Sequence, residues 1–359
     1  MRKDQIINYI GHTTMTIVDA MTKIDRNAKG VLFIVDEKEK LIGCVTDGDI
    51  RRWLIRTGDL SAEVKEAMTV SPKYLFSEER SEAIAFMQKE KIPSVPILNG
   101  KRRIVDLTFL SELSGGEEKK EKKSLKGVPV VIMAGGKGTR LYPYTKILPK
   151  PLIPIGETPI IERIINCFVE YGIEKYYITV NYKKGMIKSY FSELVPEYTI
   201  EYVEEKKPLG TAGSIRLIEE SFQQPIFVTN SDALILTNYD ALYDFHMQAQ
   251  NDITIVAALK NIVVPYGVIR AKENGEVTDM EEKPRHSYFI NTGMYVINPQ
   301  VVEKIPKDSF FHMTHLVDAV MQDGGKIGMY PVSEDSFLDM GEFGEMQRME
   351  EKLNIVTER

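Results

Sequence analysis

Apolar runs of strand length alternate with amphipathic stretches along the chain from residue 128 onward. The short apolar runs predict buried strands, and the stretches between them place apolar residues at helical spacing. This alternation predicts an α/β domain with a Rossmann-like, mainly parallel sheet that is flanked by helices. We predict strands over 130–133, 176–181, 200–203, 226–229, 253–259 and 328–332, and helices over 159–171, 185–194, after Gly213, and over 343–353.

Residues 17–113 carry a second and weaker pattern, which occurs twice. Each copy reads as an amphipathic helix, an apolar strand, a polar turn, a second strand and another helix. The strand pair lies within residues 30–46 in the first copy and within residues 93–106 in the second. We expect the two copies to bury each other's apolar faces.

Residues 114–127 combine glycines with mixed charges and offer almost no apolar side chains. Such a stretch is typical of a solvated linker between domains. We therefore predict three segments: a tandem module over residues 1–115, a charged linker over residues 116–127, and an α/β domain over residues 128–359.

Composition and charge restrict the class of protein. The 359 residues carry a net charge of -6, which gives no electrostatic basis for binding nucleic acid or an anionic membrane. The two cysteines, Cys44 and Cys167, form no disulfide framework or metal-binding spacing, and no signal peptide or membrane-spanning apolar run is apparent. We expect a cytoplasmic protein in which local groups of Lys and Arg bind small anions.

A glycine-rich loop follows the first predicted strand of the α/β domain, and a basic, proline-framed segment follows the loop. Glycines allow successive backbone N–H groups to turn toward phosphate oxygens, and Arg140 can direct two donors to one phosphate. Lys137 and Lys150 add positive charge. This stretch predicts a nucleoside triphosphate site, with candidate nucleotide-binding residues Ala134, Gly135, Gly136, Gly138 and Thr139.

Two common phosphate-binding motifs do not fit this loop. The Walker motif needs Ser or Thr directly after its Gly-Lys pair, but Gly138 stands there. The dinucleotide motif needs a third glycine where Leu141 stands. The longer pattern Gly-Gly-x-Gly-Thr-Arg-Leu-x-Pro, followed by Pro-Lys-Pro over residues 149–151, resembles the signature of the sugar-1-phosphate nucleotidylyltransferases. That resemblance implies a glycosyltransferase-A-like fold.

Several further elements, in the expected order along the chain, match this family. The resemblance implies that Asp232 and Asp339 ligate Mg²⁺ and that Lys283 contacts the sugar phosphate, while Phe337 and Phe343 depart from the usual Trp and Pro. It also implies that Gly210 and Thr211 contact the nucleotide and that Tyr266, Gly267, Glu282, Asn291 and Thr292 line the sugar pocket. The candidate catalytic residues are Arg140, Lys150, Asp232 and Lys283.

The front module resembles a tandem pair of cystathionine-β-synthase (CBS) domains. Residues 43–49 match the Gly-x-x-Thr-x-x-Asp pattern of that family, which implies that Thr46 contacts phosphate and Asp49 a ribose. In the second copy Asp106 and Leu110 replace these residues. We therefore expect one regulatory site for an adenine or guanine nucleotide at most, and a packing or dimerising module remains the alternative.

Two hypotheses about function remain open. In the first, the chain is an enzyme that joins a nucleoside triphosphate to a sugar-1-phosphate, with Mg²⁺ as its cofactor; in the second, the cleft is a sensor of nucleotide sugars without turnover. The order of domains is similar to that of the glucosamine-1-phosphate guanylyltransferases of legionaminic acid biosynthesis, and the catalytic motifs also resemble mannose-1-phosphate guanylyltransferases. This resemblance implies GTP as the nucleotide and a homo-oligomer. We interpret His312 and His315 as part of a helix face rather than as metal ligands.

Overall fold

The computed structural model describes residues 3–27, 29–110, 124–194, 196–341 and 343–353. The chain divides into two compact units. The first unit contains residues 1–120 and 261–287, and the second contains residues 121–260 and 288–359. Within the described ranges, every helix is too short or too polar to cross a membrane.

Two small sheets form the front of the first unit. A four-stranded sheet contains Ile10–His12, Val31–Val35, Leu41–Thr46 and Thr69–Val70, and a three-stranded sheet contains Leu75–Phe76, Ser94–Leu98 and Ile104–Phe109. The helices of this part are Lys3–Ile6, Ile17–Asn27, Asp47–Thr57 and Ala83–Glu90. Residues 261–287 add the exposed antiparallel pair Val268–Ala271 and Val277–Glu281.

The predicted internal repeat is present in the structure. Each copy contains an antiparallel strand pair, and the register of both pairs shifts at the equivalent place, before Val35 in the first copy and before Leu98 in the second. Phe33 from the first copy and Leu98, Leu107 and Phe109 from the second belong to one buried cluster. The two copies therefore share a core, as the apolar pattern predicted.

A seven-stranded sheet forms the centre of the second unit. Its strands lie in the order Thr199–Glu204, Lys175–Val180, Val130–Ala134, Ile226–Asn230, Arg285–Ile297, Ile253–Val263 and Ile327–Val332. The first four strands run parallel to one another, and Arg285–Ile297 is antiparallel to its neighbour Ile226–Asn230. This confirms the predicted mixed, mainly parallel sheet. The helices are Ile160–Val169, Lys184–Glu193, Gly210–Gly213, Tyr239–Ala249, Pro299–Val302, Met313–Gln322 and Phe343–Lys352.

The strand Val130–Ala134 shows why this sheet is buried on both faces. Val130 and Ile132 belong to one hydrophobic cluster, and Val131 belongs to the cluster on the opposite face. Successive side chains of a strand point to opposite faces, so a continuous apolar run suits a strand with helices on both sides. The sheet is thus a rigid support for the loops at its edge.

Two expectations about the local structure were wrong. The helix predicted after Gly213 is only the single 3₁₀ turn Ser214–Leu217. The predicted linker extends too far, because Leu125 is buried in the core of the second unit and its N–H donates to the carbonyl of Tyr171. The second unit therefore begins before residue 128, while residues 116–123 of the predicted linker lie outside the described residues.

Candidate active site

The carboxyl ends of the parallel strands meet at one edge of the sheet, where they border a cavity of about 410 Å³. This edge is where open α/β sheets bind their ligands. Most of the residues that the sequence singled out for phosphate binding line the cavity: Gly135, Gly136, Gly138, Thr139, Arg140, Lys150, Gly210, Thr211 and Asp232.

Gly138 fixes the shape of the glycine-rich loop. Its φ angle is +63°, and a Cβ atom there would lie 2.9 Å from the Cβ of Lys150 and 3.0 Å from the Cγ2 of Thr145. The Thr145 hydroxyl also donates a hydrogen bond of 2.9 Å to the Gly138 carbonyl. A glycine is needed here because it alone tolerates both the backbone angle and the close approach. The loop consequently packs directly against the segment that carries Lys150.

Lys150 pairs with Asp232 across the floor of this cavity. Its Nζ atom lies 2.5 Å from Oδ2 of Asp232, and the two side chains are only 9% and 22% exposed. A lysine held this firmly next to a carboxylate is a positioned charge rather than a mobile surface group. Displacement of this contact by a cation would free the ammonium group for a phosphate oxygen.

Asp232 and Asp339 are brought together by a short antiparallel pairing of two strands. The strands Ala233–Ile235 and Phe337–Asp339 pair with Ala233 opposite Asp339, and the N–H of Met340 donates to the carbonyl of Asp232 at 2.9 Å. Burial raises the pKa of Asp339 above its usual value, and the charge of Asp232 raises it further against the opposing effect of Lys150 and Arg140. Two carboxylates in this arrangement repel each other and favour a cation between them.

These two residues fit Mg²⁺ in the way that nucleotide enzymes commonly bind it. In the described part of the chain, no group of three or more His, Cys, Asp and Glu side chains forms a complete metal site. Mg²⁺ is usually bound by one or two carboxylates together with waters and substrate phosphates. The pair Asp232 and Asp339 therefore suits an ion that enters with the triphosphate rather than one held by protein alone.

Arg140 connects three adjoining cavities. It lines the cavity of about 410 Å³, a second of about 240 Å³ and a third of about 340 Å³. Asp339 lines the second and third of these. The guanidinium group can therefore serve an anion in the cavity of about 410 Å³ and another where this cavity adjoins the other two.

The second cavity contains two of the residues predicted for the sugar. Asn291 and Thr292 line it together with Asp232 and Asp339. Asn291 donates to the Tyr295 hydroxyl at 2.6 Å, while the buried Thr292 hydroxyl donates to the Val256 carbonyl at 2.8 Å. Thr292 is buried whereas Asn291 is exposed, so Asn291 is the better placed of the two for a ligand.

The residues that precede helix Met313–Gln322 pack against the loop that contains Gly210 and Thr211. Gly210 has a φ angle of +77°, and a Cβ atom there would lie 2.6 Å from the carbonyl oxygen of Phe311. The Thr211 hydroxyl accepts from the N–H of Met313 at 3.0 Å and lies 3.3 Å from Nδ1 of His312. His312 and His315 thus lie at the start of the helix, and His312 contacts the loop that contains Gly210 and Thr211.

Five of the predicted residues lie elsewhere. The side chain of Ala134 is buried in the core, so that only its backbone could contact a nucleotide. Tyr266, Gly267, Glu282 and Lys283 belong to the first unit, and their contacts to a sugar phosphate stay predictions. Within that unit, Glu282 lies beside Gly267, since a Cβ atom at Gly267 would be 3.0 Å from its Oε2 atom.

The cavity also contains residues that the sequence analysis did not select. Glu205 follows the outer strand Thr199–Glu204, and Phe310 precedes the residues that contact Gly210; both line the cavity of about 410 Å³. Glu205 lies two residues after the predicted strand over 200–203, and this position is the signal that could have found it. Phe310 carried no comparable signal.

In the front module, Thr46 and Asp49 hydrogen-bond to each other. Thr46 is the N-cap of helix Asp47–Thr57, its hydroxyl accepts from the Asp49 N–H, and the Asp49 carboxylate accepts from the Thr46 N–H at 2.9 Å. Arg52 pairs with the same carboxylate. This capping box gives both residues a structural role that does not need a nucleotide.

Two family models match the chain. A model described as nucleotidyl transferase matches residues 129–353, and a model of the CBS domain matches residues 12–56. The first match covers the sheet and all three cavities of the second unit. The second covers the first copy of the front repeat, including Thr46 and Asp49.

Relatives and a solved structure agree with these matches. A mannose-1-phosphate guanyltransferase of Debaryomyces hansenii is 36% identical over 184 residues, 49% of this chain and 51% of the relative. Another from Emericella nidulans is 32% identical over 203 residues, 54% of this chain and 56% of the relative, so the chain spans about half the length of these relatives. A Bacillus anthracis structure named as a glucose-1-phosphate thymidylyltransferase, in complex with sucrose, matches 64% of this chain and 97% of its own with a TM-score of 0.51 and 20% identity, which shows a shared fold.

Proposed function

The chain belongs to the nucleotidyl transferase family, and from this premise we propose that it joins GTP to a hexose- or hexosamine-1-phosphate, forming a nucleotide sugar and pyrophosphate. The observation that carries the proposal is the cavity in which the glycine-rich loop, Arg140 and Lys150 lie beside the carboxylates of Asp232 and Asp339. Cations, backbone donors and carboxylates are combined there as phosphoryl transfer requires.

The reaction needs positioned charge more than it needs a base. An oxygen of the sugar phosphate attacks the α-phosphorus of the triphosphate, the new P–O bond forms, and the bond to the β-phosphate oxygen breaks to release pyrophosphate. The sugar phosphate loses its second proton near pH 6, so it is already an anionic nucleophile at neutral pH. Two anions must nevertheless approach each other, and their repulsion is the main electrostatic barrier.

The residues of the cavity would reduce this electrostatic repulsion. N–H groups of residues 135–138 would bind the β- and γ-phosphates, and Arg140 and Lys150 would stabilise the charge that collects on the leaving pyrophosphate. Mg²⁺, held by Asp232 and Asp339 together with the phosphates, would supply further positive charge. Asn291 would contact the sugar from the adjoining cavity. The sugar-binding roles of Lys283 and Glu282 stay predictions from the family resemblance.

The choice of GTP follows from the relatives, which are named mannose-1-phosphate guanyltransferases. The order of a CBS module before a nucleotidyl transferase domain favours glucosamine-1-phosphate, as in legionaminic acid biosynthesis. We therefore propose glucosamine-1-phosphate and mannose-1-phosphate as the two substrates to compare. The front module would bind a regulatory adenine or guanine nucleotide at Thr46 and Asp49, and would also support a homo-oligomer.

Pyrophosphate release from the purified full chain tests this proposal. GTP, ATP, UTP, CTP and dTTP are each combined with glucosamine-1-phosphate, mannose-1-phosphate and glucose-1-phosphate in the presence of Mg²⁺. The proposal expects release that depends on both substrates and is fastest with GTP. Faster turnover of UTP or dTTP at equal concentration would contradict the choice of base, and no release in any combination would favour the sensor of nucleotide sugars.

A further inference from the structure

A basic cavity lies within the first unit. Its volume is about 470 Å³, and it is lined by Asn8, Asp19, Thr22, Lys23, Arg26 and Arg285. These described lining residues differ from those of the three cavities above, and also from the capping-box residues Thr46 and Asp49. Small-molecule sites in proteins commonly have volumes of about 300–1,000 Å³, so this cavity has room for a small organic ligand.

The helix Ile17–Asn27 supplies four of the lining residues because of their spacing. Asp19, Thr22, Lys23 and Arg26 stand three or four residues apart, so they follow one another along a single side of the helix. The apolar side of the same helix is buried. The helix therefore holds two cations at the cavity on a face that is fixed by packing behind it.

Both cations of the helix keep donors for a ligand. The Nζ atom of Lys23 donates to the Ile10 carbonyl at 2.6 Å, which uses one of the three ammonium donors. Burial lowers the pKa of Lys23 below its usual value, and a nearby anion would compensate for the water that the ammonium group has lost. Arg26 is exposed, and among the described residues its guanidinium group has no ion-pair partner.

Arg285 reaches the cavity from a distant part of the sequence. Its Nη1 atom lies 3.3 Å from Oδ1 of Asp19, and the two side chains are 56% and 47% exposed. An ion pair with this exposure stabilises a protein little. Asp19 also has other roles, since it lies in the first turn of its helix and its Oδ2 atom accepts from the Thr16 hydroxyl at 2.8 Å. Arg285 can therefore exchange this contact for a stronger anion.

The charges of the lining favour a phosphate group over a carboxylate. The cavity has three cationic side chains and one carboxylate. A phosphomonoester carries about two negative charges at pH 7 and three acceptor oxygens, which suits both the net charge and the three cations. A carboxylate brings one charge and two oxygens. Arg26 and Arg285 can each direct two donors to one phosphate, and the Asn8 amide can add a neutral donor.

We propose that this cavity binds the phosphate group of a small phosphorylated ligand through Lys23, Arg26 and Arg285. The site lies outside the proposed reaction, and its occupancy does not need turnover. Arg285 directly follows the segment with Lys283 and begins the strand Arg285–Ile297. A bound phosphate would therefore join the helix of the front module to the segment that carries Lys283.

Equilibrium binding to the full chain tests the inference, with inorganic phosphate, AMP and mannose-1-phosphate as separate probes. Arg26→Gln and Arg285→Gln should each weaken binding about 10- to 100-fold, the range for a hydrogen bond to a charged group. Arg56→Gln is the matched control, because Arg56 is also exposed and in the last turn of its helix but does not line the cavity. It should bind every probe as wild type does.

A variant that strengthens binding separates a binding role from a structural one. Asp19→Asn removes the negative charge beside Arg285 and keeps the shape of the side chain. It should tighten phosphate binding about 2- to 5-fold, the effect of one partly exposed charge pair. Asp47→Asn, in the first turn of the helix Asp47–Thr57, is the matched control and should leave binding unchanged. Unchanged or weaker binding in Asp19→Asn would contradict the proposed site.

The three probes distinguish the sources of the phosphate. Equal affinities would show that the cavity binds the phosphate alone, and tighter binding of AMP or mannose-1-phosphate would show that it also holds the nucleoside or the sugar; each result supports the site. Losses confined to Arg140→Gln or to Asp49→Ala would place the probe in the cavity of about 410 Å³ or at the capping box, and would overturn the inference. Binding that is unchanged in both Arg26→Gln and Arg285→Gln, or absent in wild type, would also overturn it.

Discussion

The ammonium group of Lys150 lies 2.5 Å from a carboxylate oxygen of Asp232, and both side chains are largely shielded from water. Ion pairs in such positions are costly to break from one side, because the remaining charge loses its partner while it stays desolvated. The same pair lies where a triphosphate and its cation would compete for both charges. The contact therefore links the stability of the cavity to its chemistry.

A double-mutant cycle on this pair should show strong coupling. Lys150→Met and Asp232→Asn should each lower the free energy of unfolding, and the double variant should lose less than the sum of the two. We expect a coupling energy of about 1–3 kcal/mol, as found for contacting residues in one network. Urea unfolding of the four proteins measures it. Additive losses would show that the two side chains do not stabilise each other in solution.

Gly210 should be intolerant of a side chain. Gly210→Ala meets both an unfavourable φ angle of +77° and the Phe311 carbonyl oxygen 2.6 Å from the new Cβ atom. The strain alone is worth about 1–3 kcal/mol, and the clash adds to it. The melting temperature should fall, and the KM for GTP should rise. Gly324→Ala is the matched control, because its φ angle is +75° but nothing lies within 4 Å of its Cβ position. An equal effect in the two variants would mean that the clash is relieved at little cost.

The capping box of the front module should be measurable as stability. Thr46→Ala removes the acceptor for the Asp49 N–H and should lower the free energy of unfolding of this module by about 0.5–2 kcal/mol. Thr46→Ser keeps the oxygen and should lose little. Chemical denaturation followed by the fluorescence of Trp53, the single tryptophan, reports on this helix. Loss of equal size in both variants would indicate that the methyl group, and not the cap, is responsible.

The raised pKa of Glu205 predicts a pH-dependent cost to the ligand-free protein. An acid whose pKa is higher in the folded state holds more protons when folded, so stability falls as the pH rises from the unfolded value through the raised one. Glu205→Gln removes this charge. It should therefore unfold at a higher temperature than wild type at pH 8, and the difference should shrink as the pH falls toward 4.5. Glu219→Gln should show no such trend, and a constant offset in Glu205→Gln would contradict the explanation.

The sequence predicted those parts of the fold that depend on local pattern. The strand Val130–Ala134 was predictable because a short continuous apolar run is typical of a strand that is buried on both faces of a sheet. The register that sets Ala233 opposite Asp339 was not, because it arises from the pairing of distant segments. The prediction of a helix after Gly213 was wrong because Gly210 and Gly213 make close contacts with residues 309–311 and do not lead into a helix.

The candidate site shows the same division. Motif spacing identified the glycine-rich loop, Lys150 and Asp232, which do line one cavity. Glu205 was missed because it stands in the charged run of residues 204–207, which looks like a solvated turn. Only the position of its strand beside Lys175–Val180 brings it to the edge where the loop ends. The side chains that line this part of the cavity are therefore determined by which strands lie next to each other in the sheet, and not by the local sequence alone.

Transfer of label from GTP to the sugar phosphate tests the central claim most directly. GTP that carries labelled α-phosphate is incubated with Mg²⁺ and mannose-1-phosphate or glucosamine-1-phosphate, using wild type, Asp232→Asn and the exposed control Asp318→Asn. Wild type and Asp318→Asn should form labelled nucleotide sugar with unlabelled pyrophosphate. Asp232→Asn should keep its fold and lose about a thousandfold or more in rate, because several kcal/mol of transition-state stabilisation disappear with the carboxylate charge. Transfer by Asp232→Asn at more than about a tenth of the wild-type rate, or no transfer by wild type, would contradict the account.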